Sequence, residues 1–127
     1  MKLIYQPIDS KICGHCCVAM VSGSELNESI KVIGHKKGTY GKELVKALIK
    51  LNCKSADKLK FPLPEKLPDK CIIRIKYEGI NSGHWIVFYK GLIYDPSFKY
   101  DTIEINHYKE EFLKPCKGRF ISYLECE

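Results

Sequence analysis

Little in this sequence would place it in a membrane or in a disulfide-stapled, secreted class. No apolar run approaches the ~18 residues of a membrane span. The opening MKLIYQPIDS lacks the charged-then-apolar order of a secretory signal. A soluble, cytoplasmic protein with no membrane span is therefore expected. No repeat, low-complexity tract or long linker divides the 127 residues, so a single domain over 1–127 is expected. Blocks of like charge are missing too. The net charge of +6 is scattered through Lys36-Lys37, Lys58, Lys60, Lys109, Lys114 and Lys117. It reads as a solvated basic surface, with no nucleic-acid partner expected. The cysteines lack regular spacing: seven of them, at 13, 16, 17, 53, 71, 116 and 126, make an odd number unsuited to a disulfide framework. Reduced thiols fit better. A zinc site would need a second close ligand pair, and Cys53 and Cys71 stand alone. No metal and no cofactor are expected.

What the chain does have is KICGHCCVAM at 11–20, three cysteines and a histidine in one short run. Residues 13–21 close on Ser22-Gly23 and read as a short helix entered at the cysteines. Ser24 and Glu25 open a second short helix through Ile33, ended by Gly34. GTYGKELVKALIKLN is the clearest helix, with Leu44, Leu48 and Leu51 on one stripe and Val45 and Ile49 beside it. Pro62, Pro64 and Pro68 then impose an irregular crossing segment. Beyond it the pattern turns to strand: CIIRIKY at 71–77, HWIVFY at 84–89, LIYD at 92–95 and RFISYL at 119–124. Helices first and a sheet second predict an α+β fold, N-terminal helices packed on a C-terminal antiparallel sheet.

A cysteine that opens a helix meets unpaired backbone N–H groups and the positive end of the helix dipole, both of which favour thiolate over thiol. Cys13 occupies that position, and a thiolate there needs an imidazole partner. His15 is too near in sequence to face it, His35 lies in a basic loop and His107 in a polar stretch. His84 opens the most apolar strand, directly after Gly83. A two-residue turn at Lys90-Gly91 would pair Tyr89 with Leu92 and, further along, Ile86 with Asp95. Ile86 and His84 share a face, so Asp95 becomes the diagonal neighbour of His84, in reach to orient its ring. Nucleophile, base and orienting acid are then Cys13, His84 and Asp95. Gln6, on the segment leading into the helix, has an amide suited to an oxyanion. Trp85 is expected mainly to pack, with a second role lining a substrate groove beside Cys13.

Three stretches, QPIDSKICGHCCVAMVSG, GTYGKELVKALIKLNC and GHWIVFYKGLIYDPS, resemble the blocks of the bacteriocin-processing, double-glycine-leader peptidases. These are papain-like domains often fused to peptide exporters, and the likeness covers roughly residues 3–100. It implies a papain-like fold and a stand-alone cysteine peptidase acting on a peptide or protein substrate, with cleavage after two small residues. It also implies that Cys13 is the nucleophile, with His84, Asp95 and Gln6 in the roles above. Ile12 stands where that family usually has Asp. Papain-type enzymes also carry a Cys-Gly-x-Cys run in which the later cysteine attacks, which nominates Cys16. The Gly-x-x-x-Ala-Met continuation favours Cys13. The same constellation serves a deamidase or transamidase acting on protein glutamines, and a non-catalytic binding module on the same fold is a further alternative. CGHC also resembles the tetrapeptide of thiol oxidoreductases, but a thioredoxin-like domain needs a strand and an aromatic residue just before it, and Asp9-Ser10-Lys11-Ile12 precede it here.

Overall fold

The structure, a computed structural model, describes residues 1–97 and 101–127. The cysteine-rich run forms helix α1 (Cys13–Ser22), which ends where Gly23 turns left-handed at φ 73°. Such a turn costs glycine nothing sterically and satisfies the last helical carbonyls. Helix α2 (Leu26–Ile33) starts on Glu25, whose backbone N–H is held by Glu28, and stops at Gly34. Helix α3 (Gly41–Lys50) starts on Tyr40, with Glu43 reaching back to the Tyr40 N–H. In both starts the glutamate three residues on accepts the N-cap backbone N–H, one half of a capping box. Ser29 on α2 donates to the carbonyl of His15 at 2.7 Å, which locks α2 onto α1.

Strands β1 (Lys70–Tyr77), β2 (Gly83–Tyr89), β3 (Leu92–Tyr94), β4 (Ile103–Glu104) and β5 (Gly118–Glu125) form one antiparallel sheet, in the order β4-β3-β2-β1-β5. Thus the described residues form a mixed helix-and-sheet fold with the helices leading. Lys90 and Gly91 both have positive φ, as a two-residue hairpin turn demands, and pair Tyr89 with Leu92. That is the register expected from the sequence.

The sheet is covered on both faces, which the sequence reading did not anticipate. On one side Ile72, Trp85, Val87, Tyr94 and Leu124 pack with Val18, Leu44 and Leu48 of the N-terminal helices. On the other, Ile73, Ile75, Ile86, Phe88 and Ile93 pack with Tyr108 and Leu113. These last two come from α4 (Ile105–Tyr108) and the π-helical turn Lys109–Leu113 that continues it. Glu104 caps α4 by accepting from the N–H groups of Asn106 and His107. No helix among the described residues is long and apolar enough to cross a membrane.

Candidate active site

The start of α1 has no side-chain cap, because Ile12 occupies the N-cap position and is buried. A Ser, Thr, Asp or Asn there would take up one of the free N–H groups of the first turn. Here those groups stay open, and the backbone N–H groups of Gly14 and of Trp85 on β2 both act to lower the pKa of the Cys13 thiol. Gly14 also lets the turn approach the core closely. A Cβ at that position would stand 2.1 Å from Thr39 Oγ1 and 3.2 Å from the Trp85 ring.

His84, one residue before Trp85 and so on the opposite face of β2, meets Cys13 at the sheet margin through a side-chain hydrogen bond. Its Nε2 lies 2.7 Å from Asp95 Oδ1 and 3.2 Å from Ser97 Oγ. Nδ1 is therefore the ring atom left for the sulfur. Asp95 follows β3 directly and is buried. Its Oδ1 also accepts from the N–H and hydroxyl of Ser97, at 2.9 and 2.8 Å, while Oδ2 accepts the Tyr108 hydroxyl at 2.7 Å. Every oxygen of this buried carboxylate is thus supplied with donors, as a buried charge requires.

Burial alone would raise the Cys13 pKa, but the bond to His84, the imidazolium charge and the two backbone N–H groups hold it below the ordinary thiol value. Burial would lower that of His84. The bonds to Asp95 and Cys13 and their charges outweigh it, and His84 is raised to about 10. For Asp95 burial works upward and is overcome by His84, Tyr108 and the Ser97 N–H, leaving the carboxyl below its usual range. The favoured state is a thiolate–imidazolium pair anchored on a carboxylate.

Cys13, His84 and Asp95 are brought together as the sequence suggested. Cys16 is fully buried and its thiol is pushed up to about 12 by burial and by the Cys13 charge. His15 bonds the His35 carbonyl at 2.6 Å, His35 pairs with Glu43, and His107 is exposed on α4. Gln6 is tied to the acid's turn, since its backbone N–H donates to the Pro96 carbonyl at 2.9 Å. One hydrogen of its side-chain amide is spent on the Ser10 carbonyl, at 3.0 Å, and the other has no partner among the described residues. Residues 5–9 with Pro96 and Ser97 bound a cleft of about 630 Å³ that opens beside the His84 partner Ser97.

Trp85 packs, as expected, but the second role of lining a groove is corrected: its side chain is only 2% exposed and its indole N–H donates to the Thr39 carbonyl at 3.3 Å. Strand alternation explains this: His84 and Trp85 are consecutive, so the ring that follows the histidine turns into the helix-facing core. Ser97 and Tyr108 were missed. The Asp-Pro-Ser order, in which an Asx-type turn folds the serine back on the carboxylate, was a usable signal for the first. Ile105, Tyr108 and Phe112, at i, i+3 and i+7 after a Glu cap, were the signal for the second. No family model matches the chain, and no curated protein does.

Proposed function

We propose that the protein is a cysteine peptidase of papain-like design, akin to the bacteriocin-processing peptidases. The observation that carries this reading is the Cys13–His84–Asp95 line at the uncapped start of α1, with the thiol below its ordinary pKa. The Cys13 thiolate attacks a peptide carbonyl carbon. The resulting oxyanion takes hydrogen bonds from a first-turn backbone N–H and the free Gln6 amide hydrogen. The His84 imidazolium gives its proton to the leaving amine, and a thioester to Cys13 remains. Neutral His84 then takes a proton from water as the water attacks that thioester, and thiolate and acid are regenerated. Asp95 holds the ring in the orientation that keeps Nδ1 on the sulfur throughout.

The test is chemical. Iodoacetamide near neutral pH, followed by mass mapping, is expected to label Cys13 ahead of the other six cysteines. Equal, slow labelling of all seven would remove the reading. Incubation with candidate proteins then separates reaction classes: a peptidase releases fragments, whereas a deamidase adds about one dalton per glutamine converted, through the same acyl intermediate. A synthetic leader ending in Gly-Gly, set against its Gly-to-Leu forms, tests the cleavage position that the family resemblance implies.

A further inference from the structure

Beside Cys13 lies a cation that the catalytic line does not use. Arg74, in the middle of β1, pairs across the sheet with Trp85, and its guanidinium lies 4.7 Å from the centre of the Trp85 ring. The backbone N–H of Trp85 is one of the groups that hold the Cys13 thiol down. The arginine is half-buried and has no ion-pair partner among the described residues. Burial pushes its pKa down while the Cys13 charge acts in the opposite direction, so the two groups feel one another. Holding a guanidinium there takes special provision. Gly83 leaves the space, since a Cβ at that position would come within 2.7 Å of Arg74 Cζ and 2.6 Å of the Ile75 carbonyl oxygen. The β1–β5 pairing also shifts register between Arg74 and Ile75, a bulge of the kind that re-aims side chains beside functional sites. A half-buried, unpaired guanidinium is costly, and a carboxylate is the partner whose geometry it matches.

From this we infer that Arg74 receives a substrate carboxylate beside the scissile carbonyl, so that the enzyme prefers acidic peptides. The inference rests on the peptidase reading of the same site. Arg74 is a binding residue here; the bond-making steps remain with Cys13 and His84. The carboxylate belongs either to an Asp or Glu side chain or to a peptide C-terminus.

Alkylation kinetics test it without knowledge of the natural substrate. The ratio of iodoacetate to iodoacetamide rate constants at Cys13 cancels the thiolate fraction, which both reagents share. In the native protein that ratio is expected about 5-fold above the ratio for glutathione. Arg74→Gln should return it most of the way, and Arg74→Lys should keep part of it. Arg74→Met, which retains an apolar stem over Trp85, serves if the Gln variant does not fold. A native ratio no higher than that of glutathione overturns the inference, as does a high ratio that both neutral variants preserve. The latter would trace the anion preference to His84. Competition against iodoacetamide then separates the sources. Slower labelling with C-terminally amidated Glu peptides points to a side chain, and slower labelling with neutral peptides bearing a free C-terminus points to that terminus. If neither protects more than neutral amidated peptides, the inference fails. Failure of the peptidase reading looks different: Cys13 would then react no faster than the other cysteines with either reagent.

Discussion

At the scale of single residues, Asp95 concentrates the largest commitments of the site. A buried carboxylate with donors on both oxygens is stable only while those donors remain, and Tyr108 supplies the one on Oδ2. Tyr108→Phe is expected to cost about 1.5–3 kcal/mol in urea unfolding, as for loss of a hydrogen bond to a charged group. The pH dependence has a definite sign. The folded pKa of Asp95 is depressed, so its stabilisation is present above the unfolded value of about 3.9 and is lost as pH falls through the folded value. Without the tyrosine hydroxyl the folded value rises, and acid unfolding should begin at a higher pH than in the native protein. His84→Ala makes a second prediction at this scale. Removing the imidazolium leaves burial as the dominant influence on Cys13, so the pH at which iodoacetamide labelling rises should move upward. Any peptide turnover should fall about 10²–10⁴-fold with loss of the general acid–base.

At the scale of elements, the first turn of α1 is where packing and chemistry meet. Gly14→Ala would place a methyl 2.1 Å from Thr39 Oγ1, inside a well-filled junction of α1, α3 and β2. Destabilisation of about 1–3 kcal/mol is expected from overpacking, read as a lower urea midpoint, with slowed Cys13 labelling as the turn tilts away from His84. The β2–β3 hairpin was legible from sequence because its register follows from two residues, Lys90 and Gly91, whose local conformation fixes every pair beyond them. The α1, α2 and α3 helices were legible for a related reason, since glycine stops and the Leu44–Leu48 stripe are local signals. What escaped was long-range. The spacing of Ile105, Tyr108 and Phe112 marks a buried helical face, but it does not say that this face covers the sheet's second side or that the Tyr108 hydroxyl will meet Asp95. Trp85 packs as expected, but the secondary groove-lining role failed because a side chain next to His84 in sequence points the other way. Arg74 was overlooked because its significance depends on Gly83 and Trp85, residues of a different strand.

At the scale of the whole molecule, the Cys13–His84 pair should flatten the dependence of stability on pH. A thiol lowered on folding releases a proton that the unfolded chain keeps, whereas an imidazole raised on folding keeps a proton that the unfolded chain gives up. The two effects on the pH dependence oppose one another. In Cys13→Ser the folded His84, still raised by Asp95, holds a proton that the unfolded chain has given up. Its contribution is complete below about pH 6.5 and declines as pH rises through the folded value. Urea midpoints at pH 6, 7.5 and 8.5 are expected to fall more steeply for Cys13→Ser than for the native chain; parallel curves would contradict the ion pair. The sheet order carries a last consequence. β1 sits between β2 and β5, so a central strand waits for a partner that ends at Glu125. On the ribosome, Cys13 therefore emerges long before the sheet that carries His84 can close. Until β5 has been made and paired, it is an ordinary cysteine, and the thiolate is switched on only once the sheet has closed around His84 and Asp95.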